Sequence, residues 1–407
     1  MAVGRDTVVV VGGGLAGAKA ADGAREAGFD GRVVVVGDEG GLPYERPPLS
    51  KAILRGEAGA ESAHVHPAEH YRDIDIELLT GRTVTALDVD SRTVRLDDGT
   101  EIAFTAAVLA TGAEPRRVPI PGADLDGVHY LRSLDDALRL RDAIRGAGRV
   151  AIVGAGWIGS EVAASARQMG ADVVMIDNQP TPLHRVLGRM IGETLAALHT
   201  EHGVHLRMGT GVAELRGSGS VDAVGLTDGT VETADLVVVA VGVKPRLELA
   251  EAAGLAVGDG VLTDEHLCTS APGVYAAGDI AAAWNPHYQT RLRVEHWANA
   301  AHQGTTAGAN AAGAGVAYDR LPYFFSDQYD LGFEYVGNHD PTDELAVRGS
   351  LAERRFVAFW HRGGVLTGAI AVNTRDVVED LRAMLLRPGR VDVRRLVDLD
   401  VSLDSQA

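Results

Sequence analysis

Thr7-Val8-Val9-Val10-Val11-Gly12-Gly13-Gly14-Leu15-Ala16-Gly17 is the stretch whose reading decides the fold. A continuous β-branched run suits a parallel strand buried on both faces, where no polar alternation is needed. In the turn that follows, the first glycine permits a tight reversal and the second lets backbone approach a pyrophosphate. The third lets the next helix pack closely on the strand. Leu15 to Ala27 reads as an alanine-rich helix that Gly28 stops, and Arg32 to Val36 reads as the second strand of one βαβ unit. Asp38 and Glu39 end that strand, where a carboxylate can take ribose hydroxyls. A lone glycine fingerprint also arises by chance in glycine-rich loops. Strand, helix and terminal acid together make it a dinucleotide site, with phosphates at the helix N-terminus.

The pattern returns at Val150. A strand to Val153 is followed by Gly154-Ala155-Gly156-Trp157-Ile158-Gly159, a helix to about Met169, the stop Gly170, a strand Asp172 to Ile176, and Asp177. Two copies this far apart indicate two doubly wound domains rather than a solenoid array. Asp177 accepts from a 2′-hydroxyl but repels a 2′-phosphate. No Arg or Lys lies between Met175 and His184, so NADH is favoured over NADPH, with Arg185 the first basic candidate contact beyond.

The rest of the chain fills in this frame. Ala106 to Gly112 and Leu236 to Gly242 are apolar strands ending in glycine. From about Leu321 the texture changes to strands such as Arg355 to Trp360 and Val365 to Val372, then a helix from about Thr374. The expected fold class is α/β: two doubly wound Rossmann-like dinucleotide-binding domains plus a C-terminal α+β domain. The net charge of −18 argues against nucleic acid as a partner. Cys268 is the only cysteine, which excludes an intrachain disulfide and any CxxC redox pair. The longest apolar runs are strand-length, and the short polar start runs straight into a strand. The expectation is therefore a cytoplasmic protein with no signal peptide and no membrane span.

Between the fingerprints stands Leu42-Pro43-Tyr44-Glu45-Arg46-Pro47-Pro48-Leu49-Ser50-Lys51. Further on come Ala110-Thr111-Gly112-Ala113-Glu114-Pro115-Arg116, Gly242-Val243-Lys244-Pro245, Tyr275-Ala276-Ala277-Gly278-Asp279, Arg293-Val294-Glu295-His296-Trp297, Pro322 to Asp330 and Ala371-Val372-Asn373. With these blocks the chain resembles the ferredoxin, putidaredoxin and rubredoxin reductase family, over nearly its whole length. The resemblance implies FAD on the first fingerprint and NADH on the second. It also implies a discontinuous FAD domain of 1–113 plus 243–320, an NADH domain of 114–242 and a C-terminal domain of 321–407.

Hydride transfer belongs to the cofactors, and the protein positions them and tunes the charge around them. Lys51 is the first choice for a residue beside flavin N5. The chain has three lysines, Lys19, Lys51 and Lys244, against 35 arginines, and a compact ammonium does what a forked guanidinium cannot. The resemblance implies that Lys51 pairs with Glu161 beside the flavin; the plainer alternative is two unrelated surface charges. Asp279, after Gly278, would reach the ribityl chain or pyrophosphate, or cap a helix. Arg46 and Arg116 are candidates for phosphate or flavin-edge contacts. Glu295, His296 and Trp297 open a helix of about Glu295 to Ala312, whose N-terminus would favour the negative charge of a reduced flavin. Trp297 and Phe325 are candidate flavin-edge aromatics, although the family often has Trp where Phe325 stands. His64, His66 and His70 read as solvated loop histidines, without carboxylate support for a metal.

The electron acceptor implied by the resemblance is a [2Fe–2S] ferredoxin that supplies a cytochrome P450 or a dioxygenase. Residues 348–395 carry ten arginines and five acids, a basic island that could dock an acidic ferredoxin to a monomer or homodimer. Two alternatives share the fold. A disulfide reductase or cysteine-dependent NADH oxidase needs a redox cysteine where this chain has Pro-Pro-Leu-Ser-Lys. A non-catalytic apoptosis-inducing-factor type binds nucleic acid, against the net charge.

Overall fold

The computed structural model describes residues 6–403. The expectation of no leader rests on the first few residues and falls outside the described range. By its internal contacts the chain forms two compact units. The first holds the described residues to Glu45 with Glu61–Glu114 and Lys244–Pro322, and the second holds Arg46–Ala60, Pro115–Val243 and the described residues from Tyr323.

In the first unit, β1 (Thr7–Val11), β2 (Arg32–Gly37), β3 (Ile76–Thr80) and β4 (Ala106–Leu109) build one sheet together with the strand Val274–Ala276, and α1 (Leu15–Glu26) connects β1 to β2. The order is Val274–Ala276, β4, β1, β2, β3, and every pairing is parallel. Side chains alternate across β1, so Val8 and Val10 enter one core while Val9 and Val11 enter the other. Both faces are covered, which is why the run is apolar from Val8 onward. The helix Trp297–Ala311 lies against α1 so closely that a Cβ on Gly308 would stand 1.8 Å from the carbonyl oxygen of Ala20. That helix starts two residues later than the sequence suggests, because His296 is extended and serves as its N-cap.

The second unit repeats the plan with β5 (Arg149–Val153), α2 (Trp157–Gln168), β6 (Asp172–Asp177), α3 (His184–Glu201), β7 (Val204–Met208) and β8 (Leu236–Val239). The sheet order is β7, β6, β5, β8, Val128–His129, all parallel. The strands expected to reach Gly112 and Gly242 end at Leu109 and Val239, where each chain leaves its sheet to pass the glycine turn. The C-terminal strands β9 (Tyr323–Gln328), β10 (Leu331–Gly337), β11 (Glu344–Ser350), β12 (Arg355–Arg362) and β13 (Val365–Val372) form an antiparallel sheet in the order β9, β10, β13, β12, β11. Leu187, Ile191, Leu195 and Leu198 of α3 share one core with Phe333, Phe356, Trp360 and Ile370 of that sheet. The helix expected from Thr374 begins at Val378, and Asn373 and Asp376 hold positive φ in the turn before it.

The segment Arg46–Ala60 groups with the second unit and not with the rest of residues 1–113. Leu54 is fully buried in the core that holds Leu140, Ile144, Val162 and Ala166. The Ser165 hydroxyl donates to the carbonyl of Ser50 at 2.7 Å. Burial of Leu54 and one buried hydrogen bond thus fix the segment on α2. No helix among the described residues is long and apolar enough to cross a membrane.

Candidate functional site

The two glycine turns have the same construction. Gly12 has φ +123°, and a Cβ there would lie 2.1 Å from the carbonyl oxygen of Ala110. Gly154 has φ +105°, with its virtual Cβ 2.3 Å from the carbonyl oxygen of Ala240. Each position combines a left-handed backbone with contact to the neighbouring strand end, and only glycine meets both demands. The N-caps Gly14 and Gly156 make no side-chain capping bond, so the first amides of α1 and α2 face outward as a ready anion cradle. The residues present therefore fit a dinucleotide pyrophosphate at both turns.

Around the first turn stand Leu15, Ala16 and Gly17 of α1, with Ala110, Thr111 and Gly112 beyond β4. Gly278 reaches this group, since a Cβ there would meet the Ala16 side chain at 2.9 Å, and its amide donates to Gln303 at 2.9 Å. Asp279 sits in the short 3-10 turn Gly278–Ile280 and accepts through its carbonyl from Arg293. Asp38 pairs with Arg246 at 2.8 Å, and Glu39 accepts from the Tyr44 hydroxyl at 2.6 Å. Glu295 is held by Arg293. Burial pushes the His296 imidazole down to about 4, against the opposing pull of Asp279, so a neutral ring heads the helix Trp297–Ala311.

The second turn opens on a cavity of about 520 Å³ lined by Gly154, Gly156, Trp157, Asp177, Arg185 and Gly242, among others. Asp177 is anchored at both oxygens: Ala155 N–H donates to Oδ2 at 2.7 Å and Gln179 N–H to Oδ1 at 2.8 Å. Each oxygen keeps a second lone pair for a ribose hydroxyl. Ile158 is exposed at the helix start, Gly159 packs against the carbonyl of Gly154, and Arg116 bonds through its amide to the carbonyl of Gly242. The Trp157 ring turns to the C-terminal sheet, edge-on to Phe324 at 4.3 Å. Arg46 spends its Nε on the carbonyl of Arg132, and Phe325 is about a third exposed on β9.

Lys51 and Glu161 meet. Lys51 Nζ lies 2.7 Å from Glu161 Oε1, with side-chain exposures of 15% and 5%. The carboxylate is held further by two hydroxyls that sequence reasoning missed. Ser50 Oγ donates to Oε2 at 2.5 Å and Ser326 Oγ donates to Oε1 at 2.6 Å. Both serines lie inside blocks that carry the family resemblance, which was the available signal. A buried carboxylate with one ammonium and two hydroxyl donors is compensated, whereas losing the ammonium alone costs about 3–5 kcal/mol.

One expectation is corrected. His66 and His70 are not solvated loop residues lacking a carboxylate: both turn their Nε2 atoms onto the nearly buried Asp22 of α1, at 2.7 and 2.9 Å. The carboxylate was invisible from spacing because it lies on another element. Burial alone would raise the Asp22 carboxyl, but hydrogen bonds from His70, His66 and Lys19 bring it below its ordinary value. His64 donates its backbone N–H to the carbonyl of Glu61 and forms an isolated bridge with Tyr44. Burial, with Asp264 nearby, raises the thiol of Cys268, which suits an inert residue.

Residues 6–304 match the family model of the pyridine nucleotide-disulphide oxidoreductases, and residues 323–407 match that of the reductase C-terminal domain. The chain belongs to the pyridine nucleotide-disulphide oxidoreductase family. Among its relatives in this oxidoreductase family is rhodocoxin reductase of Rhodococcus erythropolis, 39% identical over 90% of this chain and 86% of that protein. Another is the ferredoxin–NAD(+) reductase component of the anthranilate 1,2-dioxygenase system of Burkholderia cepacia, 37% identical over 98% of both chains. The crystal structure of a covalent putidaredoxin reductase–putidaredoxin complex superposes with a TM-score of 0.95 at 36% identity, covering 99% of this chain and 98% of that one.

Proposed function

We propose that the chain is an FAD-dependent, NADH-oxidising ferredoxin reductase that supplies electrons to an oxygenase system in the cytoplasm. The observation that carries this reading is the buried Lys51–Glu161 pair. It stands in a two-fingerprint chain whose only cysteine is Cys268, so a fixed charge pair takes the place of a redox-active disulfide. The named relatives support the same reading.

The first unit would hold FAD through Gly12, Gly14, Leu15, Ala16 and Gly17, with Asp38, Glu39, Thr111, Gly278 and Asp279 for its sugar and ribityl groups. The second would hold NADH through Gly154, Gly156, Asp177 and Arg185. Bound together, these cofactors supply hydride chemistry on one side and single-electron chemistry on the other. What the chain adds is position and charge. Asp177 fixes the ribose and, through Ala155 N–H, the turn that carries the phosphates. Lys51 is proposed to serve the flavin ring, its ammonium placed by the ion pair with Glu161, which Ser50 and Ser326 hold in one rotamer.

The partner is proposed to be an acidic [2Fe–2S] ferredoxin. Of the arginines in 348–395, Arg348 bonds the carbonyls of Leu396 and Asp398, and Arg354 pairs with Glu201. Those side chains work within the fold. Arg355, Arg375, Arg390 and Arg394 are exposed and form the proposed docking charge. The test is NADH-driven reduction of a panel of purified ferredoxins, with oxygen and disulfides as controls. A ferredoxin turned over far faster than either control supports the reading. Rapid oxygen turnover with no acceleration by any ferredoxin would sink it.

A further inference from the structure

We propose that Asp22, His66 and His70 form a binding site for one divalent transition-metal ion of the zinc class, which ties α1 to the helical turn Ala68–Asp73 within the first unit. The ligand atoms, one from each residue, lie within 4.8 Å of one another. His70 lies in that turn and His66 stands just before its N-cap Pro67, and the two rings lie side by side. The two imidazoles are already stacked, with centroids 3.8 Å apart and planes 25° apart, and the buried Tyr71 sets its ring edge-on to both. Ordering these side chains is thus largely complete before any ion arrives, which removes much of the entropy cost of binding.

The crowding of polar atoms around Asp22 Oδ2 is a second, geometric reason for a shared cation here. Lys19 Nζ is 3.0 Å from Asp22 Oδ2 and 3.0 Å from His66 Nε2, and that Nε2 is itself 2.7 Å from the same Asp22 oxygen. A neutral imidazole nitrogen either donates to the carboxylate or accepts from the ammonium. One of the three contacts is therefore unfavourable in either tautomer. A metal ion takes the lone pairs of Nε2 and the carboxylate together, and it displaces the ammonium, which is free to swing into solvent. Lys19 then acts as a competitor for the site rather than a part of it.

The donor set decides the class of ion. Two imidazole nitrogens with one carboxylate suit Zn²⁺, Co²⁺ or Ni²⁺, whereas Mg²⁺ and Ca²⁺ prefer oxygen ligands throughout. Side-chain exposures of 7% for Asp22, 22% for His66 and 31% for His70 place the carboxylate at the floor and the rings at an open rim. The ion can enter from water and keep water in its remaining positions. No redox step is assigned to it; its effect is to cross-link two elements of the first unit.

The test uses tag-free, flavin-loaded protein stripped with EDTA and dialysed, then titrated with ZnCl₂ by calorimetry and followed by thermal unfolding. One equivalent of Zn²⁺ should bind and raise the melting temperature, while MgCl₂ and CaCl₂ should not. His70→Gln and His66→Gln should each weaken binding by more than about tenfold, and Lys19→Met should tighten it. The flavin spectrum and NADH–dye reductase rate of His66→Gln serve as the folding control. Zn²⁺ binding of equal strength in the His66→Gln/His70→Gln double variant would overturn the proposal, as would an equal response to Mg²⁺. Failure here leaves the reductase reading untouched, because dye reduction by NADH is measured separately.

Discussion

At the scale of single residues, the buried polar cluster of the second unit is built around one carboxylate. Glu161 is buried and takes donors from Lys51, Ser50 and Ser326, so substitutions around it differ in kind. Lys51→Met leaves a buried anion with hydroxyl partners only. It should cut the NADH-driven rate by tenfold or more and lower stability by about 3–5 kcal/mol, read by stopped-flow flavin reduction and urea unfolding. Lys51→Arg should not restore the rate, because a planar fork does not fit where a compact ammonium sits at 2.7 Å with 15% exposure. A rate equal to wild type in either variant would remove Lys51 from the mechanism. Asp177 carries a second expectation. Asp177→Ala removes the ribose acceptor and frees the Ala155 amide. The kcat/KM for NADH should fall by roughly tenfold or more, with little change for NADPH. An unchanged NADH/NADPH ratio refutes the assigned role.

At the scale of elements, what is legible in the sequence is what is local. β1, α1, β2 and their counterparts β5, α2, β6 follow from β-branched runs, glycine turns and alanine-rich helices, and the observed ends fall within about two residues of those read. Lys51 and Glu161 are legible through the resemblance, and the fold supplies the contact. The missed pieces are non-local: Ser326 reaches Glu161 from a different sheet, and Asp22 reaches His66 and His70 from a helix that spacing cannot link to them. The helix expected from Thr374 starts late because the positive φ of Asn373 and Asp376 has no glycine to announce it. Helix packing also hides from pattern reading. Gly308 looks like a weak helix residue, yet its missing side chain sets how closely Trp297–Ala311 approaches α1. Gly308→Leu must push against the backbone at Ala20, where a Cβ would lie 1.8 Å from the carbonyl oxygen. The helices should separate at a cost of about 1–3 kcal/mol or more, and flavin retention after gel filtration should drop. Full flavin occupancy with an unchanged melting temperature would show that the contact can relax.

At the scale of the whole molecule, the balance of charge is strongly acidic, yet a buried histidine sets part of the response to acid. His199 of α3 is fully buried, and its Nε2 lies 3.0 Å from Gln328 Oε1 of β9, so α3 and the C-terminal sheet share a neutral imidazole. Burial pushes this imidazole down to about 4; the Gln328 hydrogen bond opposes that and the neighbouring His202 adds to it. In the unfolded chain the same group takes its proton near the usual value of about 6.5. Between those two values the unfolded state binds more protons than the folded one. Stability is therefore intact above about pH 6.5 and falls as pH drops toward 4, by up to about 3 kcal/mol for this one group. Urea unfolding at pH 7 and at pH 4.5 measures the fall. In a His199→Leu/Gln328→Leu variant both polar partners are gone, so the baseline stability shifts but the difference between the two pH values should shrink by about that amount. A difference equal to wild type would mean that carboxylates elsewhere, and not this imidazole, govern the acid limb.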